Sequence, residues 1–483
     1  MEFLSQTTAG APRQSQRDAA WAALFATLAA GASAVVITGG TNAVRGLLAI
    51  GVAALLLAMI DRDPVKGVLA TFAFLTMLGL TRRLLIPAVG WTSNDPLVLV
   101  GPAIAATLVV RQFVVERRAL APDQLSGLVC AVFALVVLEA FNPRNSSIVV
   151  GLAGIIFLGA PMLWFFVARE QLRADAVAKL LWLVLGAATC VAAYGLVQAW
   201  SGLPSWDAQW LNLVQYNTVS NNSGMVATFG SFASSAEFSV YVGAGVVVAV
   251  GMALSGRPIA LAPLLVLLPA LFQSSNRTAV VLTIAAIGTM AVLRSVPARA
   301  IPVALAMILV ATVFVAPAFS ALFQAGARST SNERLSYQLS GFGQPIDGER
   351  STVALHWSMF TDGIRRGISD PFGAGSGSSG RASALFGGEG SSRAASTEVD
   401  ISNAFVALGL VGGLLYLALI FTAFRDAARN FVRRRDGPSL VIIGLLMATA
   451  GGWLSGGHYA TAPLVWLILG VTAAWARPNR SFS

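Results

Sequence analysis

Between Arg277 and Arg294 the chain runs sixteen residues, TAVVLTIAAIGTMAVL, without a charge. A run of that length and apolarity suits a helix crossing a bilayer, whose hydrocarbon core takes about 20 helical residues. The pattern recurs too often for a soluble core to absorb it. Of 483 residues, 56% are hydrophobic and 11% charged, against roughly 25% charged in ordinary soluble domains. The fold class expected is therefore an all-α polytopic integral membrane protein.

About fourteen transmembrane helices can be drawn, twelve at the least: 19–38, 46–61, 66–81, 95–112, 124–141, 146–168, 175–200, 237–255, 258–273, 277–294, 299–320, 401–424, 439–456 and 460–476. The pair 46–61 and 66–81 is short and flanks DRDPVK. Lys and Arg set the orientation, because cytoplasmic loops retain them. With the N-terminus inside, 20 of the 32 basic residues fall on the cytoplasmic side and 12 on the other, seven of these in one long loop. Both the N-terminal tail, 1–18, and the C-terminal tail, 477–483, are then cytoplasmic. The tail MEFLSQTTAGAPRQSQRDAA has no cleavable signal pattern, so the first span is expected to remain as an anchor.

The net charge of +10 thus belongs mostly to an inner face held by anionic lipid, and no nucleic-acid partner is expected. Cys130 and Cys190 lie within predicted helices and make no disulfide framework. Without CxxC, HExxH or a carboxylate pair at metal spacing, no bound metal is expected. The GxGxxG at Gly375, Gly377 and Gly380 lacks the preceding strand and following helix of a nucleotide site.

Two outward loops are long, 201–236 and 321–400. Trp206, Trp210 and Tyr216 suit the first to the outer leaflet. In the other, Val353, Trp357, Phe360 and Ile364 form one apolar stripe on a short helix, 351–364, with Gly367 and Pro371 as stop signals. The following PFGAGSGSSGRASALFGGEGSSRAAS reads as a mobile Gly/Ser segment.

The outward side collects both histidines, His356 and His458, with Glu237, Glu398 and Asp400 at the ends of spans and Arg277 at the mouth of the tenth. Such groups are functional candidates, although a single Arg also snorkels to headgroups. Glu139 admits a proton relay or a structural hydrogen bond to a neighbouring helix. Arg82 and Arg83 face outward against the charge rule, which means either that they bind lipid phosphate or that the second and third spans are misdrawn.

Four stretches, in this order, carry a resemblance over residues 200–425: MVATFGSFASSAEFSVYVG, FQSSNRTAVVLTIAAIG, ERSTVALHWSMFTDGIRRGISDPFGAGSG and TEVDISNAFVALGLVGGLLYL. Together they resemble the O-antigen ligase and Wzy-type O-antigen polymerase superfamily. MVATFGSFASSAEFSVYVG is similar to its re-entrant Gly-Thr-Phe segment, with Ala227 in the Gly position. FQSSNRTAVVLTIAAIG resembles the Arg-bearing start of its core helix. The stretch from Glu349 to Gly377 resembles its loop helix with a Pro-x-Gly-x-Gly exit. The resemblance implies a GT-C-like, metal- and cofactor-independent glycosyltransferase. Its donor is a glycan on undecaprenyl diphosphate, used at the periplasmic face of a bacterial inner membrane. Transfer proceeds with inversion, and arginines neutralise the diphosphate.

The chain departs from the family twice. The His-Asn pair of the ligases reads Ser402-Asn403, and loop 201–236 contains no Arg. On the resemblance, Arg277 with Arg334 or Arg350 holds the diphosphate. Trp357, Arg365, Arg366 and Glu237 contact glycan or lipid, and Glu398, Asp400 or His356 is the base. The missing His favours a polymerase of lipid-linked repeat units over a ligase acting on lipid A core. A flippase and a chain-length regulator are its expected pathway partners. A lipid-linked oligosaccharide transporter is the alternative from another class, and a scaffold for envelope enzymes a third.

Overall fold

The computed structural model describes residues 40–120, 122–214, 226–274, 276–295, 325–330, 336, 339, 340, 342, 353–380, 382–383, 399–454 and 458–476. Among them the chain is all-helical, with no β-strand. Eight helices are long and apolar enough to cross a membrane: α1 (Thr41–Arg62), α2 (Pro64–Leu84), α3 (Pro96–Val115), α5 (Ile148–Gln171), α6 (Ala174–Trp200), α8 (Ser235–Leu254), α10 (Arg277–Ser295) and α12 (Asp400–Arg434). Four shorter apolar helices join them: α4 (Gln124–Glu139), α9 (Pro258–Gln273), α13 (Gly437–Ala448) and α14 (Thr461–Ala476). Two further helices, α7 (Ser205–Leu213) and α11 (Val353–Ser369), lie in the long connections.

Twelve of the fourteen expected spans coincide with these apolar helices; spans 19–38 and 299–320 fall outside the described residues. The doubtful pair, 46–61 and 66–81, lengthens to 22 and 21 residues. DRDPVK closes into a one-residue turn because Asp63 caps α2, accepting from the Lys66 amide at 3.1 Å, and Pro64 opens the helix. The thirteenth span is shorter than expected. α13 stops at Ala448, and residues 449–454 and 458–460 are non-helical.

α8 is the central helix, flanked by α6, α9, α10, α13 and α14. Its glycines let three neighbours approach closely. An added Cβ would come within 2.4 Å of Thr283 Oγ1 at Gly243, 2.5 Å of Ala188 at Gly245 and 2.5 Å of Val441 at Gly251. Small residues serve this purpose in lipid, where apolar burial alone does not drive helices together.

The two ends of the bundle differ in chemistry. One end, the basic end, carries ion pairs such as Arg169–Asp123 at 2.6 Å, Arg425–Asp426 at 2.7 Å and Arg434–Asp436 at 2.7 Å. The opposite end, the loop end, gathers the long connections, residues 226–234, α11 and the start of α12.

Candidate functional site

At the loop end, residues 226–234 turn back into the protein between α2, α6 and α9. Ala227, Phe229, Phe232 and Ala233 are buried. A non-helical segment at this depth must find partners for its backbone, and side chains meet several of its polar groups. Gln198 Oε1 accepts from the Gly230 amide at 2.8 Å, and Ser231 Oγ donates to the Thr76 carbonyl at 2.7 Å. Thr228 Oγ1 donates to the Gln273 carbonyl at 2.9 Å. The approach to α2 is close: a Cβ on Gly79 would lie 2.4 Å from the Ser231 carbonyl oxygen.

Arg83 clamps the same segment, donating to the carbonyls of Gly230 and Phe232. Its Nε stands 2.7 Å from Asp207 Oδ1. Asp207 belongs to α7, and its other oxygen accepts from Tyr194 at 2.6 Å and Gln198 at 2.7 Å. The guanidinium lies over Phe229 and Trp210, 4.9 and 5.3 Å from the ring centroids. Arg82, one residue earlier, takes the other side of α2. Its Nε donates to Asp95 at 2.9 Å, and Arg45 of α1 donates to the same carboxylate oxygen. Span 66–81 is thus drawn too short: α2 runs continuously to Leu84 and carries both arginines within it, their side chains buried in protein. Arg83 is fully engaged there, so the lipid-phosphate reading fails for it.

The Gly/Ser segment overturns its expected mobility over 371–380. Gly373, Gly375, Ser376, Gly377, Ser378 and Ser379 are buried. The reason lies in α12, which breaks at Gly409 with φ 69° and ψ −169°. The break frees carbonyls of the preceding turn, and the segment supplies donors. The Ala374 amide donates to Val406 at 2.9 Å and the Gly375 amide to Ala407 at 3.1 Å. On its other edge the Ser376 amide donates to the Glu139 carbonyl at 3.1 Å. The glycines are needed for contact, not looseness: a Cβ on Gly377 would lie 2.1 Å from the Val150 carbonyl oxygen. Glu139 itself accepts from Asn142, three residues further along the chain, at 2.6 Å and not from a neighbouring helix.

The loop helix α11 runs through Gly367 instead of stopping there, and it is longer than the expected 351–364. It packs along α12. Gly363 and Gly367 form its buried face, and a Cβ on Gly367 would meet Phe405 at 2.6 Å. Of the apolar stripe, Phe360 and Ile364 are half-buried beside that contact, while Trp357 is 66% exposed. Arg365 and Arg366 are exposed and make no ion pair among the described residues. Residue 356 lies on α11; the side chain of His356 is outside the described ones.

Two expected acids meet the α13–α14 connection. Asp400, the first residue of α12, is buried, and its Oδ2 accepts from the Leu454 amide at 2.5 Å. Glu237, in the first turn of α8, is fully buried, and its Oε1 accepts from the amides of Ala460 at 2.8 Å and Thr461 at 3.4 Å. It thereby caps the N-terminus of α14 from another helix, where a negative charge is favoured. Asn403 and Ser379 line a narrow cleft with Ala404, Ala407, Leu408 and Leu454. Arg277 opens α10 and is half-buried, beside Asn276, whose Oδ1 caps the helix by accepting from Ala279 at 3.1 Å. Arg334, Arg350 and Glu398 lie outside the described residues.

The connection 449–460 thus joins the start of α8 to the start of α12, while residues 226–234 reach the end of α9 that precedes Arg277. Sequence reasoning missed Arg45, Asp95 and Asp207. The one signal available was the arginine pair at 82–83, whose sidedness demanded buried acids. Among the described residues no cluster of metal-ligating side chains occurs. Comparison of the chain with protein-family models, with curated proteins and with solved structures finds no match.

Proposed function

We propose that the protein is a polysaccharide polymerase: a membrane glycosyltransferase joining undecaprenyl-diphosphate-linked oligosaccharide units. It needs neither metal nor cofactor, and it works at the periplasmic face of a bacterial inner membrane, with twelve to fourteen spans and both termini cytoplasmic. The observation that carries this reading is Arg277, half-buried at the capped N-terminus of α10 on the loop end. A guanidinium and a helix N-terminus together favour a bound phosphate.

In the transfer, an acceptor hydroxyl oxygen attacks the anomeric carbon as its bond to the diphosphate oxygen breaks. The hydroxyl proton passes to a carboxylate, Asp400 or Glu398, or to His356, and the leaving undecaprenyl diphosphate carries the electron pair. Arg277 stabilises that charge as it develops, aided by Arg334 or Arg350. Arg365 and Arg366 are exposed to meet an anionic substrate, and Trp357 offers a flat face to sugar rings. Glu237 acts on the site through the α14 terminus it holds.

The break of α12 favours an alternative reading, a flippase for the same lipid-linked units, because transporters line their sites with discontinuous helices. Here, however, the freed carbonyls of Val406 and Ala407 are taken by Ala374 and Gly375, not left for a ligand. Purified protein incubated with a synthetic undecaprenyl-diphosphate repeat unit distinguishes the readings: a polymerase yields a ladder in detergent, a flippase only movement across vesicles. Arg277→Ala should abolish the ladder while the protein still inserts, and a wild-type ladder removes Arg277 from the mechanism.

A further inference from the structure

α11 belongs to a loop, yet it exposes large apolar side chains. Trp357 and Ile368 are both exposed, and Phe372, just beyond the helix, is 76% exposed. The helical period brings Ile368 to within about 20° of Trp357 around the axis, and half-buried Ile364 falls on the same edge. The neighbouring face, with Gly363 and Gly367, is taken by α12. That contact fixes the rotation of α11, so the apolar edge cannot turn inward. An exposed apolar edge of this size marks a surface that meets a partner.

The position of the edge says what that partner is. Asp370, at the end of α11, pairs with Arg144 of the α4–α5 turn, and Asn142 Nδ2 lies 3.4 Å from the Phe372 carbonyl oxygen. Beside Asn142, at the loop end of α4, Leu138 and Phe141 are exposed. Pro371 closes on the break of α12: a Cβ on Gly409 would lie 2.1 Å from its carbonyl oxygen. Just past that break Val411 and Leu414 are exposed. α4 and α12 are apolar helices of the bundle, so these side chains face acyl chains. The lipid-facing belt of α4 and α12 therefore continues through Phe372 onto Ile368. Charge accompanies it. Arg365 stands about 80° around the helix from Trp357, on the side away from Gly363. It is exposed and makes no ion pair among the described residues. An apolar edge with a Trp, flanked by a free cation, is the make-up of a helix lying in a membrane interface.

We propose that α11 docks on the phospholipid surface of the leaflet at the loop end, with Trp357, Ile368 and Phe372 against the acyl chains and Arg365 on a headgroup phosphate. Asp362 and Arg366, further around the helix, stay in water. The docking requires no particular reaction of the protein. It holds Arg365 and Trp357 at headgroup level, where the lipid-linked substrate proposed above carries its diphosphate and first sugars.

Full-length protein carrying photoreactive p-benzoylphenylalanine in place of Ile368, Phe372 or Arg366, one at a time, tests this. The protein is held in nanodiscs of phosphatidylglycerol and phosphatidylcholine without polyprenyl lipid, so every lipid adduct is phospholipid. All three positions are exposed, and the replacements leave packing intact. Mass spectrometry should find adducts at 368 and 372 at least about tenfold above those at 366, which is turned away from the bilayer. Hydrogen exchange of the α11 amides in the same discs is the second readout. The double variant Ile368→Ser with Phe372→Ser should exchange at least about tenfold faster than wild type, and Arg365→Gln about fivefold faster, with α8 unchanged in both. Adducts at 366 equal to those at 368 and 372 overturn the proposal, as does exchange at the wild-type rate in both variants. Adducts that join 368 or 372 to another segment of this chain, or to a second copy, in place of lipid also overturn it.

Discussion

Gly373 and Gly409 meet backbone to backbone. A Cβ built on Gly373 would stand 2.5 Å from the Gly409 amide nitrogen, and one on Gly409 would stand 2.6 Å from that of Gly373. Gly409 also holds φ 69° with ψ −169°, a region other residues enter only at a cost of roughly 1–3 kcal/mol. Gly409→Ala and Gly373→Ala should therefore each destabilise by more than the backbone term alone, lowering the unfolding temperature in detergent. Gly127→Ala is the contrast: it is helical, with nothing within 4 Å of its added Cβ. That change should be neutral or stabilising by up to about 1 kcal/mol.

Asp436 starts α13 from the basic end, accepting from the Ser439 amide at 2.9 Å and from Arg434 at 2.7 Å. Burial pushes its carboxyl up, but these bonds outweigh burial and hold it below its ordinary value. The sign follows: its contribution is fully present above the ordinary carboxylate range and is lost as pH falls through the lowered folded value. Asp436→Ala should cost about 1 kcal/mol at neutral pH, as a lost N-cap does. In thermal unfolding at stepped pH, the gap between wild type and variant should close on acidification. A gap that widens toward low pH contradicts this assignment.

The helices were legible in the sequence because each needs only its own uncharged run, and lipid forbids most alternatives. Runs 46–61 and 66–81 were drawn short because Arg62, Lys66, Arg82 and Arg83 were counted as ends, although α2 carries its arginines into protein. The Gly/Ser segment was not legible. Composition alone cannot separate a mobile linker from a strand of backbone that must pass within van der Waals distance of Val150 and Gly409, residues remote in sequence. The stripe Trp357–Phe360–Ile364 predicted α11 correctly as a helix, but its closest contact with α12 is made by Gly363 and Gly367 beside the stripe, because small residues let helices approach most closely. Of the candidate site, Asp400 and Glu237 could be placed at helix ends. Their acceptor roles toward Leu454 and Ala460 depend on a connection whose path no local pattern reveals.

Arg83 and Asp207 join α2 to α7 beside the buried segment 226–234, both with side chains at most 1% exposed. Removing one partner of a buried pair strands the other charge, at a cost of about 3–5 kcal/mol. Asp207→Asn should thus destabilise markedly although it is isosteric. The double variant Arg83→Met with Asp207→Asn should recover part of the loss, because no charge is then stranded. Urea or thermal unfolding of the set in detergent measures the coupling; simple additivity of the single changes would show that the pair is not coupled.

Asp400 separates a structural duty from a chemical one. Its Oδ2 accepts the Leu454 amide, and an asparagine oxygen can take the same hydrogen bond while being unable to accept a proton from an acceptor sugar. Asp400→Asn should therefore leave the unfolding temperature within a few degrees of wild type, whereas Asp400→Ala should lower it by leaving the buried Leu454 amide unsatisfied, a loss of about 1–3 kcal/mol. If Asp400 is the base, Asp400→Asn should also reduce turnover of a purified lipid-linked repeat unit by at least about 100-fold, the lower range of general-base contributions. Full turnover in Asp400→Asn, with the alanine variant still unstable, confines Asp400 to holding the α13–α14 connection. Glu398→Gln, assayed on the same substrate, then becomes the deciding variant, and full turnover there as well leaves His356 as the base.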